Sequence, residues 1–258
     1  MNIFVSVDME GISGICRCSQ VNPNGEHHPA ARKLMTWDVN ACVEGCVQGG
    51  AERIVVRDAH CSGFNFIWDE LDPRAEYIQG DSGLERFPDI ASVDGLILLG
   101  YHAMAGTREA VLEHTMSSAS WQHFWINGKL SGELAIDAAI AGEHDVPVIM
   151  TSGDDKLCAE ARNFIPDIVA VEVKKGLGCE GAQLLPKEIA HNRITDGAAE
   201  AVRKCKSIAP YKVDHPVTLR LELVSRRKVP QKRSGVKVID GRTYEVAAET
   251  FEAAFNML

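Results

Sequence analysis

Ile3-Phe4-Val5-Ser6-Val7-Asp8-Met9-Glu10-Gly11 is a short apolar run that ends in two carboxylates. The pattern returns at Ile54-Val55-Val56, followed by Arg57-Asp58-Ala59-His60, and at Leu96-Ile97-Leu98-Leu99, followed by Gly100-Tyr101-His102. Short continuous apolar runs read as strands buried on both faces, as in a parallel sheet. Parallel strands share a direction, so their carboxyl ends lie along one edge, where open α/β sheets bind ligands. Asp8, Glu10, His60 and His102 are therefore expected on one rim. Two oxygen donors and two imidazoles at one spot suit zinc or a similar divalent metal.

Outward from these runs, the chain alternates strand and helix. The first strand spans 2–8, and a polar loop with His27-His28-Pro29 follows. Residues 30–48 carry Leu34, Trp37, Ala41, Val43 and Val47 at helical spacing and stop at Gly49-Gly50. Strands are expected at 53–57 and 94–100. Residues 61–92 read as irregular, with a short strand near Tyr77-Ile78. Asn127-Gly128 between apolar flanks signals a hairpin. Its aromatic flank, Trp121, Phe124, Trp125 and Ile126, reads as a contact element that a partner would cover. Helices at 133–141, with Ser131 as a cap, and 155–164 bracket a fourth parallel strand at 147–150. A further strand covers 168–173.

After that the character changes. A long helical pattern occupies 186–207, and Val217, Leu219, Leu221 and Leu223 alternate with polar residues as in a half-buried strand. A hairpin around Asp240-Gly241 and a helix at 249–258 close the chain. The expected fold is α/β, a mostly parallel sheet flanked by helices with a smaller C-terminal α+β portion. The expected boundary separates a catalytic core at 1–175 from a subdomain at 176–258.

Composition narrows the function. The 258 residues suffice for roughly one or two domains. A net charge of −9 argues against a nucleic-acid surface, which needs excess Lys and Arg. No apolar stretch approaches the ~20 residues that span a bilayer, and no basic leader precedes the first strand. The eight cysteines are scattered without a C-x-x-C, so they read as reduced thiols in a cytoplasmic protein. Cys42 and Cys46, four apart on a helix, read as small buried residues rather than ligands.

The chemistry concentrates in few residues. Asp8 and Glu10, two apart at a strand end, can reach one site. Their charges repel, and a divalent cation would hold both ionised. Asp58, two residues before His60, can orient a ligand. Asp154 and Asp155 end another strand on the same rim, where they either meet a substrate ammonium or support loops. The loop-support role is the favoured one. His27 and His28 read as surface histidines, since adjacent residues seldom ligate one ion together. Gly176-Leu177-Gly178-Cys179-Glu180-Gly181 spells G-x-G-x-x-G. However, Pro186 would interrupt the helix that a dinucleotide site needs, and no acidic strand end follows about twenty residues later.

Ser6-Val7-Asp8-Met9-Glu10-Gly11 resembles the S-x-D-x-E-G motif of the D-aminopeptidase family of zinc metallopeptidases. The likeness continues through Asp58-Ala59-His60, Leu99-Gly100-Tyr101-His102-Ala103, Ile126-Asn127, Gly132-Glu133-Leu134 and Gly153-Asp154-Asp155, in order over roughly residues 3 to 155. The resemblance implies two Zn2+ per subunit. Asp8 would bridge both, with Glu10 and His102 completing one ion and His60 and Glu133 the other. It also implies a catalytic histidine at His114, within Val111-Leu112-Glu113-His114-Thr115-Met116, with His123 as competitor. The family casts that histidine as a nucleophile. Beside two cations an acid/base role is chemically simpler, because histidine titrates near neutral pH.

The function so implied is a dinuclear zinc aminopeptidase that hydrolyses N-terminal, D-configured residues from short peptides by metal-activated water. The implied assembly is a homodecamer whose sites face an inner chamber. Two other readings stay open. One is a dinuclear metallohydrolase acting on another amide or a phosphate ester, against which the shortage of Lys and Arg near the motifs counts. The other is a non-enzymatic metal-binding oligomer.

Overall fold

The apolar runs and their intervening helices pack as two sheets in a computed structural model, which describes residues 1–81, 83, 85–230 and 234–258. In chain order the elements are β1 (Asn2–Val7), α1 (Cys18–Val21), α2 (His28–Gly49), β2 (Arg53–Asp58), β3 (Glu76–Ile78) and β4 (Gly95–Leu99). Next come β5 (Trp121–Ile126), β6 (Lys129–Leu130), α3 (Glu133–Glu143), β7 (Val148–Asp154), α4 (Asp155–Phe164), β8 (Val169–Gly178) and β9 (Gly181–Leu184). The chain ends with α5 (Lys187–Lys204), β10 (Val217–Leu223), β11 (Val236–Val238), β12 (Thr243–Ala248) and α6 (Phe251–Phe255).

The larger sheet has the order β3-β2-β1-β4-β7-β8-β9 and is parallel except for β9. Its central strands are apolar on both faces because helices cover both. Val169 and Val171 of β8 lie under Gly197 of α5, while Glu172 reaches Arg162 of α4 on the other face. Every residue of β4 is buried, and each such Leu or Ile contributes about 1.5–3 kcal/mol on burial. In the central register Val7 lies beside both Asp58 and Leu99. The residues after β1, β2 and β4 thus emerge side by side.

The second sheet is antiparallel, in the order β11-β12-β10-β5-β6. On β10, Val217, Leu219, Leu221 and Leu223 are the buried positions, as their period of two requires. Two of its strands come from the middle of the chain. The aromatic flank of the Asn127-Gly128 hairpin is therefore not an exposed element awaiting a partner. Phe124 and Ile126 are buried in this sheet, and Trp121 packs on Phe124 and Phe255.

β7 ends at Asp154, as expected from Gly153-Asp154-Asp155, and its polar residues bond to the β4 exit: Thr151 Oγ1 donates to Leu98 O at 2.9 Å, and Ser152 Oγ accepts Gly100 N–H at 2.9 Å. Other expectations shift for local reasons. The residue-175 boundary falls inside β8, whose G-x-G-x-x-G stretch turns into β9 rather than a helix. Ser131 does not cap α3. Gly132 is the cap residue, and the Ser131 hydroxyl donates to Lys129 O. All eight cysteines are free, and Cys42 and Cys46 are buried. No helix among the described residues is long and apolar enough to cross a membrane.

Helices α2 and α5 approach closely through small residues. A Cβ on Gly45 would stand 2.3 Å from Thr195 O and 2.8 Å from Ala198 Cβ. Gly45→Leu should force the helices apart and lower unfolding free energy in urea by about 1–3 kcal/mol or more. An unchanged midpoint would contradict this packing.

Candidate metal centre

Asp8 leaves β1 with its N–H donating to Leu99 O at 2.9 Å. Three residues on, the backbone of Gly11 lies against the exit of β4, where an added Cβ would meet Tyr101 O at 1.8 Å. That close approach sets the Asp8–Gly11 turn beside His102. His60 comes from the end of β2, His102 from the end of β4, and Glu133 from the first turn of α3. The helix dipole there favours a carboxylate. All five sequence-predicted donors are brought together, and all are buried.

The donors meet in one pocket. His60 Nδ1 lies 3.0 Å from Asp8 Oδ1 and 3.1 Å from Glu10 Oε2. His102 Nε2 lies 3.3 Å from Asp8 Oδ2 and 3.3 Å from Glu133 Oε1. His114 stacks on His102 with ring centroids 4.0 Å apart, and its Nε2 is 3.5 Å from Glu133 Oε1. Ligand atoms of Asp8, Glu10 and His60 fall within 4.8 Å of one another, as do those of His102, His114 and Glu133.

Each histidine is oriented through its other nitrogen. His60 Nε2–H donates to Val21 O at 2.8 Å, His102 Nδ1–H to Ala103 O at 3.0 Å, and His114 Nδ1–H to Leu112 O at 3.0 Å. A ring pinned this way turns its remaining nitrogen toward the carboxylates, as metal-ligating histidines do. Asp8 Oδ2, Glu10 Oε2 and His102 Nε2 are buried without a hydrogen bond. They sit at ion-pair distances yet do not aim at one another. Polar atoms buried like this are costly unless something between them is shared. A divalent cation fits that requirement, and the mixed N/O donor set suits zinc.

Electrostatics agree. Burial would raise the Asp8 carboxyl, but its hydrogen bond to His60 and the charge of His102 hold it well below the usual range. Burial would depress the His60 imidazolium, yet Glu10 and Asp8 push it far above the ordinary histidine value. Burial likewise opposes the His102 imidazolium, and Glu133 with Asp8 raises it to about 10. Without a cation, protons on the imidazoles supply the positive charge.

Supporting residues lie one layer back. Asp58 accepts the backbone N–H of His60 at 3.2 Å and the Nδ2–H of Asn65 at 3.0 Å. It orients the His60 peptide rather than the ring. Asn65 also donates to His60 O, and His28 Nε2 lies 3.1 Å from Asn65 Oδ1. His28 is thus a buried support, not a surface histidine. Asp154 accepts Val111 N–H at 2.8 Å and caps α4, and Asp155 accepts Gly176 N–H, so both support loops. His123 pairs with Glu222 on the antiparallel sheet, outside the donor cluster.

Sequence reading missed Asn65 and the network of half-buried Arg86 with buried Asp137 and Tyr101 behind Glu133. Asp137, four residues after Glu133 on α3, was the one available signal. Neither Asn65 nor the Val21 carbonyl stands out by residue type.

Comparisons with known proteins follow the same line. The family model described as D-aminopeptidase matches residues 1–258. A D-aminopeptidase of Bacillus subtilis (strain 168) is 33% identical over 214 residues, covering 81% of this chain and 77% of that protein. The chain also superposes on the solved Zn-dependent D-aminopeptidase DppA from Bacillus subtilis, described as a self-compartmentalizing protease. That match has a TM-score of 0.93 at 28% identity and covers 99% of this chain and 94% of the other.

Binding a cation requires His60 and His102 to give up their extra protons, which both hold at neutral pH in the metal-free protein. Zinc affinity should therefore keep rising with pH through the neutral range and beyond, to about pH 10 where His102 loses its proton, with about two protons released per chain near pH 7. Calorimetry in two buffers of different ionisation enthalpy measures the release. Tight binding with no proton release would remove these histidines from the donor set.

Proposed function

The chain belongs to the D-aminopeptidase family, and from that premise we propose a two-zinc aminopeptidase that removes N-terminal residues, D-configured ones first, from short peptides. The observation that carries this reading is the buried convergence of three carboxylates and three pinned imidazoles, with three of their atoms left unbonded. In the proposed arrangement Asp8 would serve both ions, Glu10 and His102 would hold one, and His60 and Glu133 would hold the other. Support for a bridge comes from Asp8 turning Oδ1 toward His60 and Oδ2 toward His102. The unbonded atoms of Asp8, Glu10 and His102 support a cation in this pocket, while the short contacts pair Glu10 with His60 and Glu133 with His102. Contacts also cross between the two sets, Glu10 to His60 and Glu133 to His102, because all five donors share one small pocket.

Bound zinc would supply positive charge that lowers the pKa of a shared water and polarises the scissile carbonyl. The chain's residues do the rest. Asp8, Glu10 and Glu133 hold the ions and stay ionised. His114 keeps Nδ1–H on the Leu112 carbonyl, so Nε2 is the atom that exchanges a proton with the reacting groups. Its stack on His102 fixes the ring. An acid/base role suits a ring held in this way, since its free nitrogen faces the Glu133 carboxylate.

The self-compartmentalizing character of the relative supports a homo-oligomer here, and we extend it to a decamer with sites facing an inner chamber. Eight free cysteines support a reducing, cytoplasmic setting.

His114→Ala should leave zinc content unchanged and cut turnover by roughly a hundredfold or more. Elemental analysis beside a peptide-amide assay reads both, and surviving activity would remove His114 from the chemistry. In the same assay D-alanyl amide should be cleaved faster than L-alanyl amide. Equal rates would remove the handedness.

A further inference from the structure

Between β1 and α1 the chain has no regular structure, yet this segment carries Glu10. Three of its carbonyls turn inward to one point. There the Lys174 ammonium donates to Glu10 O, Ile12 O and Ile15 O at 2.5, 2.9 and 2.7 Å. A lysine ammonium has three N–H donors, and these three acceptors use all of them. Lys174 stands on β8, more than 150 residues along the chain from the loop it holds, and is 3% exposed.

The arrangement is costly for the fold alone. Burying an ammonium against carbonyl dipoles is unfavourable compared with an apolar side chain of the same length. Other ties already hold the loop. Asp38 accepts Ser13 N–H and Oγ–H at 2.7 and 2.6 Å, and Gly11 N–H donates to Gly100 O at 2.7 Å. What Lys174 adds is a contact at the peptide of Glu10 itself, whose carboxylate faces His60.

We propose that Lys174 is a positioning residue of the metal centre, its ammonium fixing the Glu10 peptide so that the Glu10 carboxylate reaches the ion. The inference rests on the reading of Glu10 as a ligand. Lys174 touches neither substrate nor ion, and it acts through Glu10. His60, His102 and Glu133 come from other strand ends and from α3, so they do not depend on this clamp, and Asp8, two residues before Glu10, is held by its own N–H on Leu99 O at 2.9 Å.

The test uses the full-length protein with Lys174→Met, Lys174→Arg and Glu10→Gln. Zinc per chain is read by elemental analysis and titration, beside thermal melting of the metal-free protein. Lys174→Met is expected to keep its metal-free melting temperature, to hold about half the zinc, and to bind the lost ion about tenfold or more weakly. Its kcat should fall with KM little changed. Lys174→Arg keeps a buried cation, so it serves if the Met variant does not fold. A planar guanidinium cannot meet three converging carbonyls, so its loss of zinc should be smaller but in the same direction. Full zinc occupancy in the Lys174 variants would overturn the inference. Parallel loss of melting temperature and of both ions would also overturn it, since that marks a purely structural role. Full zinc in Glu10→Gln would instead sink the ligand reading, and the role of Lys174 with it.

Discussion

Asp8, Glu10 and Glu133 crowd three carboxylates into a pocket nearly closed to water. At that proximity and in a low dielectric their charges cannot coexist without positive charge among them. Much of the surrounding structure answers this constraint. Three imidazoles face the carboxylates. Each is turned by a backbone carbonyl, from Val21, Ala103 or Leu112, that occupies its other nitrogen. The N-terminus of α3 adds its dipole behind Glu133. The site is thus arranged for cations, and it takes up protons where cations are lacking.

Holding such a site requires rigid supports. The strands supply the first layer, because β1, β2 and β4 end at the same level and release their next residues together. Hydrogen bonds accepted by Asp58 and Asp154 and donated by Asn65 supply the second, each stapling a loop that carries a donor or its neighbour. The buried Asp137, paired with half-buried Arg86 and bonded to Tyr101, backs α3. Removing one partner of such a pair leaves an uncompensated charge, so it stiffens the site at some risk to stability. Chemistry and fold are coupled here through the loops, not through the apolar core.

Much of this was legible in the residue order. The apolar runs ending in Asp8, His60 and His102 have the length and composition of doubly covered strands, and parallel strands have one possible carboxyl edge. Donors nearly a hundred residues apart were therefore expected together. The alternation at Val217–Leu223 likewise announced a half-buried strand, and it is one, antiparallel to both neighbours. Other features were hidden. The hydroxyls of Thr151 and Ser152, which bond across to the exit of β4, do not stand out by residue type. Trp121–Ile126 looks like an exposed aromatic arm, but it pairs with a strand a hundred residues later, burying Phe124 and Ile126.

Periodicity and residue type determined the sheet, its direction and the edge at which Asp8, Glu10, His60 and His102 gather, because those follow from backbone geometry that repeats along the chain. Which way each ring nitrogen points was decided only in three dimensions. So were the reach of Glu133 from α3, the stacking of His114 on His102 and the clamp of Lys174 on the Glu10 loop. Those features depend on carbonyls and side chains from distant segments meeting at distances of a few ångströms, and no local pattern encodes such a meeting.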